Sequence, residues 1–179
     1  ALTDPSKGTK GLSCILVEKG TPGFSVGKIE EKMGIHGSET AELIFDNCRV
    51  PKENLIGREG QGFKIAMTAL DGARIGVAAQ ALGIAERALD ESVKYMKERV
   101  QFGKPIAALQ GLQWYISDMA TKIECAKWMI FRAAWLKVSG QPYSKEAAIA
   151  KLNASETATF VTNLALQIHG GYGYMKDYP

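Results

Sequence analysis

The stretch Arg99-Val-Gln-Phe-Gly103 follows one long amphipathic pattern, and Gln167-Ile-His-Gly-Gly171 follows another near the end of the chain. Both stretches place glycine where a helix is expected to stop. A helix end that carries glycine exposes backbone groups and lets a large ligand approach closely. The planar guanidinium of Arg99 also suits a pyrophosphate, because it can form two parallel hydrogen bonds. These stretches therefore indicate helix ends that are suited to a phosphate-containing ligand.

Long helices are predicted on either side of these stretches. Apolar residues recur every three or four positions from 63 to about 101, and again, more strictly, from about 106 to 138. Such spacing lays an apolar stripe along each helix and predicts near-antiparallel bundle packing. After a break at 139–142, Ser144 is expected to cap an alanine-rich third helix that ends near His169. Three such helices favour a fourth, which we expect this chain to lack.

The first 57 residues have a different, β-type pattern. Short runs at 12–18, 24–30 and 40–47 are separated by turn residues. The third run alternates, so one of its faces is predicted to be core. That face consists of Ala41, Leu43 and Phe45. Three or four strands make an incomplete sheet with open edges, and we expect some partner strands to be missing.

Composition narrows the class of protein. The 179 residues are 46% hydrophobic and 23% charged, which fits one or two compact domains and argues against disorder. The net charge of +3 is small and its cations are interleaved with acids, so no nucleic-acid partner is expected. No apolar run reaches the length of a membrane span, and no membrane partner is expected. The scattered Cys14, Cys48 and Cys125 predict reduced, buried thiols rather than a metal site.

With Asp71-Gly-Ala-Arg74 near the start of the first helix, the two glycine-ended stretches resemble segments of the acyl-CoA dehydrogenase family. The segment from Met33 to Ser38 is similar to the approach to the closing strands of that family's β domain. The resemblance covers the whole chain and implies an α+β fold: a partial antiparallel β domain followed by an up-down helical bundle. It assigns residues 1–57 to the second half of the middle β domain. Residues 58–179 become a C-terminal helical domain, truncated at its end, so the chain is expected to be a fragment.

The resemblance implies FAD as the cofactor, bound across a subunit boundary. The implied cofactor-binding residues are Arg99, Gln101, Phe102, Gln110, Gln167, Ile168, His169, Gly170 and Gly171. Simpler interpretations stay open: Arg99 as a cation facing the helix dipole, Gln110 as a solvent-facing side chain, and the paired glycines as a C-cap. His169 stands where relatives usually carry an apolar residue, so we expect it to pack rather than react.

The resemblance also assigns the acyl-CoA ligand to Asp71, Gly72, Ala73 and Arg74. The alternative is an i, i+3 ion pair on a helix face. In the isovaleryl-type and long-chain branches of the family, the catalytic glutamate occupies the position just before this arginine. Ala73 has no carboxylate, so the base is expected downstream of Pro179 and no catalytic residue or metal ligand is expected within the chain.

The function implied is FAD-dependent α,β-dehydrogenation of an acyl-CoA thioester, as in the short-chain or butyryl-type branch, with electrons passed to an electron-transfer flavoprotein. The intact protein is expected to be a homo-oligomer, most simply a tetramer, in a bacterial cytoplasm or alternatively a mitochondrial matrix. The chain alone is expected to be inactive. Two alternatives stay open: a monooxygenase or nitroalkane oxidase of the same fold, and a helical interaction module without flavin.

Overall fold

The structure is a computed structural model that describes residues 1–178. It divides into two compact units, Ala1–Thr68 and Ala69–Pro179. The first unit holds two small antiparallel sheets. In one sheet the first and fourth strands of the unit pair, and in the other the second and third pair, with an irregularity between Val26 and Ile29. The strands are β1 (Cys14–Ile15), β2 (Phe24–Ile29), β3 (Ala41–Phe45) and β4 (Leu55–Ile56). The domain border at residue 57 stays a prediction.

The expectation of a buried face on β3 was wrong within the described residues. Leu43 and Phe45 are 57% and 55% exposed, and Ile44 on the opposite face is exposed as well. The ring of Phe45 stacks on that of Phe24, with centroids 5.0 Å apart. The cause is that β2 and β3 form a two-stranded ribbon, and alternation predicts a core only where a second layer covers the sheet.

The rest of the chain is helical, and three long helices are present as predicted. They are α1 (Gly62–Glu98), α2 (Gln110–Val138) and α3 (Ser144–His169). Between α1 and α2 lie β5 (Val100–Gln101), β6 (Lys104–Pro105) and a 3₁₀ turn, Ile106–Ala108. A second 3₁₀ turn, Gly170–Tyr174, follows α3. The observed class is therefore α+β, with a helical bundle after a partial β region.

The start of α3 differs from the prediction in one detail. Tyr143 is the residue before the helix, and it makes no side-chain cap. Ser144 is the first helical residue, and its hydroxyl donates a hydrogen bond to the Asp71 carboxylate instead. This bond joins the first turn of α3 to the side of α1.

The core of the second unit is shared by the three helices. Its α2 face is built from larger side chains, while its α3 face is mostly alanine, which lets a neighbouring helix approach closely. The buried α3 residues are Ala147, Ala150, Ala154, Thr157, Val161, Ala165 and Ile168. None of the helices among residues 1–178 is long and apolar enough to span a membrane.

The prediction of buried thiols was wrong, because none of the three cysteines is fully buried. Cys14 and Cys48 are half-buried, but Cys125 is exposed on α2. All three are free thiols in the structure. The helical period places Cys125 beside, not within, the buried stripe of α2.

Candidate functional site

The two glycine-ended stretches, which are about 65 residues apart in sequence, line one cleft in the second unit. The cleft has a volume of about 590 Å³. Its lining comes from the last turn of α1, the hairpin after it and the end of α3. The lining residues are Tyr95, Arg99, Gln101, Phe102, Ile106, Ile168, His169, Gly170, Gly171, Tyr172 and Met175.

A tight hairpin forms one wall of the cleft. Val100 pairs with Pro105 and Gln101 with Lys104, so Phe102 and Gly103 are the two turn residues. Both have positive φ, 56° and 76°, as a type I′ turn requires. Glycine adopts this conformation freely, whereas Phe102 adopts it within a hairpin that is closed by the Ile106 N–H, which donates to the Arg99 carbonyl at 2.9 Å. The Phe102 side chain is 87% exposed, so it contacts little of its own chain.

Arg99 supplies the positive charge of the cleft. Its backbone N–H donates to the Tyr95 carbonyl at 2.8 Å, which continues the helical pattern one residue past α1. The guanidinium carbon lies 5.1 Å from the centroid of the Tyr172 ring, a cation–π arrangement. Among residues 1–178, no carboxylate lies within 4.0 Å of this half-buried arginine. Its hydrogen-bonding capacity is therefore available to an anion.

Tyr95 and His169 join α1 to the end of α3. Their rings stack with centroids 4.3 Å apart, and the Tyr95 hydroxyl donates to the His169 carbonyl at 3.4 Å. The Nδ1 atom of His169 lies 2.8 Å from the Ala165 carbonyl oxygen. Burial raises the pKa of Tyr95, an effect that the charge of Arg99 opposes. The cluster fixes the helix end on which the glycines stand.

Gly170 and Gly171 form an open edge of the cleft. Gly170 has a φ of 58° and ends α3, and its N–H donates to the Gln167 carbonyl. A Cβ added at either glycine, or at Gly103, would meet nothing within 4 Å. The backbone at these points therefore faces open space, and a flat ligand can approach it without displacing a side chain. Together with the guanidinium of Arg99, which pairs with no carboxylate of the described residues, this geometry fits a pyrophosphate-bearing dinucleotide.

Most of the residues named from the sequence as cofactor ligands meet in this cleft. Those brought together are Arg99, Gln101, Phe102, Ile168, His169, Gly170 and Gly171. Gln110 and Gln167 are exposed and do not line the cleft, and their role stays a prediction.

Sequence reasoning missed Tyr95 and Tyr172. Tyr95 carried a usable signal, because it precedes Arg99 by four residues and so shares its helix face. Tyr172 carried no comparable signal, because it follows the helix end, where no periodicity applies.

The four residues assigned to acyl-CoA lie elsewhere, near the start of α1. Arg74 forms an ion pair with Asp71 at 2.5 Å, as the simpler interpretation held. A Cβ on Gly72 would lie 3.0 Å from the Lys137 Nζ atom. Arg74 precedes Arg99 by 25 residues, or roughly 37 Å along a helix. Side chains that far apart cannot both contact one reacting atom. The two ends of α1 therefore belong to two separate regions of the surface.

Two protein-family models match the chain, one over most of each unit. The family model "Acyl-CoA dehydrogenase, C-terminal domain" matches residues 60–179, and "Acyl-CoA dehydrogenase, middle domain" matches residues 1–48.

Several characterised proteins are similar over the whole chain. An acryloyl-CoA reductase (NADH) of Anaerotignum propionicum is 72% identical over 100% of this chain and 45% of its own. A short-chain specific acyl-CoA dehydrogenase of Clostridium acetobutylicum is 56% identical over 100% of this chain and 47% of its own. The chain thus spans about half the length of these relatives.

Solved structures agree with the computed fold. The butyryl-CoA dehydrogenase of Megasphaera elsdenii is 55% identical, with a TM-score of 0.98 over 100% of this chain and 47% of its own. A chain from work on the electron transferring flavoprotein of Acidaminococcus fermentans and flavin-based electron bifurcation is 62% identical. Its TM-score is also 0.98, over 100% of this chain and 47% of its own.

Proposed function

The chain belongs to the acyl-CoA dehydrogenase family, and from this premise we propose that the intact protein is an FAD-dependent enzyme that oxidises the Cα–Cβ bond of a short acyl-CoA thioester. The observation that carries the proposal is the cleft that joins the Arg99 hairpin to the glycines after α3. It combines an unpaired guanidinium, aromatic rings and bare backbone, which are the groups that a dinucleotide needs.

The residues of the cleft would bind and orient the cofactor. Arg99 would hold the pyrophosphate, and Gly170 and Gly171 would let their backbone contact the ligand directly. Phe102, exposed at the hairpin tip, would cover part of it. Bound FAD would supply the hydride acceptor for the β hydrogen of the substrate. The described residues that line the cleft include no aspartate or glutamate, so the carboxylate base that we expect for the α proton would lie elsewhere.

We further propose that the cleft serves the cofactor of a neighbouring subunit. The acyl-CoA segment at Asp71–Arg74 lies roughly 37 Å along α1 from Arg99. One chain would then present its two binding segments to two separate active sites in a homo-oligomer, most simply a tetramer built as a dimer of dimers. Electrons would leave through an electron-transfer flavoprotein.

A second candidate function is the reverse reaction, the reduction of a short enoyl-CoA. The relative from Anaerotignum propionicum, 72% identical, is named an acryloyl-CoA reductase (NADH). The same active-site architecture would add a hydride and a proton to a short enoyl-CoA, with NADH as the ultimate donor. Rates of butyryl-CoA oxidation and acryloyl-CoA reduction, measured on one preparation of the intact protein, decide between the two directions.

The test of the cofactor assignment is Arg99→Ala in the intact protein. A charged hydrogen bond to phosphate is worth about 1.5 to 3 kcal/mol, so FAD affinity should fall roughly 10- to 100-fold while the fold persists. Arg87→Ala is the control, because Arg87 pairs with Glu91 on α1 outside the cleft. Flavin absorbance after extensive dialysis gives the readout. Equal FAD retention in the two variants would remove Arg99 from the site, and a flavin-free wild-type protein would refute the proposal as a whole.

A further inference from the structure

A lysine from the end of α2 lies against the backbone of α1, within the segment assigned to acyl-CoA. Lys137 is in the last turn of α2, and Gly72 is near the start of α1. A Cβ atom built on Gly72 would lie 3.0 Å from the Lys137 Nζ atom and 3.7 Å from its Cε atom. The lysine therefore reaches from one helix to the other, and its amine takes the space that a side chain would fill at position 72.

Glycine is a costly residue at this point of a helix. Gly72 lies inside α1, where glycine is about 1 kcal/mol less favourable than alanine. Its φ angle is not positive, so the backbone conformation does not require glycine. The atoms nearest to the missing Cβ belong to Lys137 and to the hydroxyl of Tyr143, which is 3.8 Å away. What the glycine provides is room for these two polar groups beside the α1 backbone.

The charges around Gly72 do not cancel. Both carboxylate oxygens of Asp71 already accept hydrogen bonds, one from Arg74 and the other from the Ser144 hydroxyl. Over the part of the chain that the structure describes, no carboxylate lies within 4.0 Å of the Lys137 amine. One acid therefore faces two cations, and the charge of Lys137 is left without a balancing side chain.

A simpler role for Lys137 needs no ligand. A lysine in the last turn of a helix interacts favourably with the partial negative charge at the helix C-terminus. That role would affect the stability of the fold and would not depend on the charge of any ligand. A role in binding depends on the charge of the ligand, so experiments can separate the two.

The donors at this place specify an anion. The ammonium of Lys137, the guanidinium of Arg74 and the hydroxyl of Tyr143 can all donate hydrogen bonds to oxygen. The acyl chain and the thioester of an acyl-CoA carry no charge, whereas its coenzyme A handle carries a diphosphate and a 3′-phosphate. The surplus positive charge therefore matches the handle and not the acyl end.

We propose that Lys137 and Tyr143 bind a phosphate group of the coenzyme A handle beside Arg74. The proposal rests on the acyl-CoA function proposed above, and it adds two residues from outside the 71–74 segment. The phosphates take no part in bond breaking, so the contact strengthens substrate binding without changing the chemical step.

The test compares Lys137→Met with the wild type in the intact protein, using butyryl-CoA and butyryl pantetheine. The second thioester has the same acyl group but no phosphate. With butyryl-CoA, KM should rise roughly tenfold at unchanged kcat, because a charged hydrogen bond to phosphate is lost. With butyryl pantetheine, the two proteins should have equal kcat/KM. An unchanged KM for butyryl-CoA would overturn the proposal, and so would an equal loss with butyryl pantetheine, because a loss that needs no phosphate is structural.

Two further variants and one further substrate sharpen the result. Lys94→Met removes the same charge from an exposed position of α1, roughly 33 Å along the helix from Gly72, and should match the wild type with both thioesters. Tyr143→Phe removes only the hydroxyl and should raise KM for butyryl-CoA about threefold. Butyryl-dephospho-CoA lacks only the 3′-phosphate. Lys137→Met should leave its KM unchanged if Lys137 binds the 3′-phosphate, and should raise it if Lys137 binds the diphosphate.

Titration with S-butyl-CoA separates this proposal from the function on which it rests. This thioether has no carbonyl group to acidify the α proton, so calorimetry measures binding without turnover. Lys137→Met should bind it roughly tenfold more weakly than the wild type does. A wild-type protein that neither binds S-butyl-CoA nor turns over an acyl-CoA refutes the proposed function, and the phosphate contact with it. Tight binding by both the wild type and Lys137→Met refutes only the phosphate contact.

Discussion

Gly170 and Gly171 are neighbours at the end of α3, but their backbones differ in what they allow. Gly170 has a φ of 58° and a ψ of −132°, a conformation that a side chain strains severely. Gly171 has no such restriction, and a Cβ there meets nothing within 4 Å. The first glycine is thus required by the fold of the helix end. Neither the backbone conformation nor a contact within the chain requires glycine at position 171. A requirement for glycine there must therefore come from a ligand.

This difference makes Gly171→Ala a selective probe of the proposed cofactor site. The free energy of unfolding should change by less than about 0.5 kcal/mol, while FAD affinity should fall because the new methyl group blocks backbone contact. Gly170→Ala should instead lose about 1 to 3 kcal/mol of stability. Urea denaturation and flavin titration of both variants give the two quantities. If Gly171→Ala binds FAD as the wild type does, the glycines are only a C-cap.

The Tyr95 hydroxyl should give the cleft a measurable pH dependence. Burial raises its pKa, so above pH 10 the unfolded chain loses this proton while the folded chain still holds it. The stabilisation is complete below the unfolded pKa and disappears as the pH rises through the folded one. Tyr95→Phe lacks this dependence. The stability of the wild type relative to the variant, from urea titrations between pH 9 and 11, should decline, and parallel curves would show that the hydroxyl is not held neutral.

At the scale of elements, the close fit of α3 into the bundle depends on small side chains. Ala147, Ala150 and Ala154 are fully buried. Their methyl groups leave room for the larger residues of α2, such as Met119, which is also fully buried. In a sequence, a stripe of alanines can be explained by helix propensity alone. Here the small side chains also determine how closely a neighbouring helix packs.

Ala154→Leu should therefore destabilise the second unit by about 1 to 3 kcal/mol, because the added atoms have no space to occupy. Ala148→Leu makes the same change at an exposed position of α3 and should be nearly neutral. Chemical denaturation of the two variants provides the comparison. Equal stabilities would mean that the bundle accommodates a large side chain at this point.

The helix ends show what periodicity can and cannot predict. The end of α3 at His169 was predicted correctly, because glycine follows it directly. The end of α1 was placed three residues too late, at Gln101 instead of Glu98. Val100 continues the apolar spacing four residues after Met96, but Val100 and Gln101 pair with Pro105 and Lys104 in a hairpin. The turn at Phe102 and Gly103 ends the helix early. Its positive φ values cannot be recognised from the spacing of apolar residues.

At the scale of the molecule, the first unit exposes apolar side chains on both faces of its β2–β3 ribbon. Val26, Ile29 and Leu43 are each more than half exposed. In the second unit, residue 73 is alanine, and no aspartate or glutamate is among the described residues that line the proposed cofactor cleft. The 179-residue chain, purified alone, should therefore associate or be marginally stable, hold no stoichiometric FAD and oxidise no acyl-CoA. Sedimentation and a butyryl-CoA assay with an artificial electron acceptor check this, and turnover with bound flavin would contradict it.

The candidate site was largely predictable in its parts but not in its arrangement. The sequence motifs identified Arg99, Phe102 and the paired glycines, because arginine and glycine carry recognisable chemistry at helix ends. Their meeting in one cleft depends on α1 and α3 ending at the same end of the bundle. That relation follows from loop lengths and packing, which no single motif records. The contribution of Tyr172 likewise exists only once the turn after α3 has formed.

Trp114, Trp128 and Trp135 are the three tryptophans of the chain, and all lie exposed on α2, which gives the protein an intrinsic optical signal. Indole emission shifts to shorter wavelength when the ring leaves water, and no tryptophan elsewhere in this chain dilutes the change. Emission from these residues therefore reports the environment of one helix face and not the state of the whole fold. Dilution of the protein through its association range can be followed in this way without a label, and quenching by acrylamide would measure how much of that face stays open to solvent.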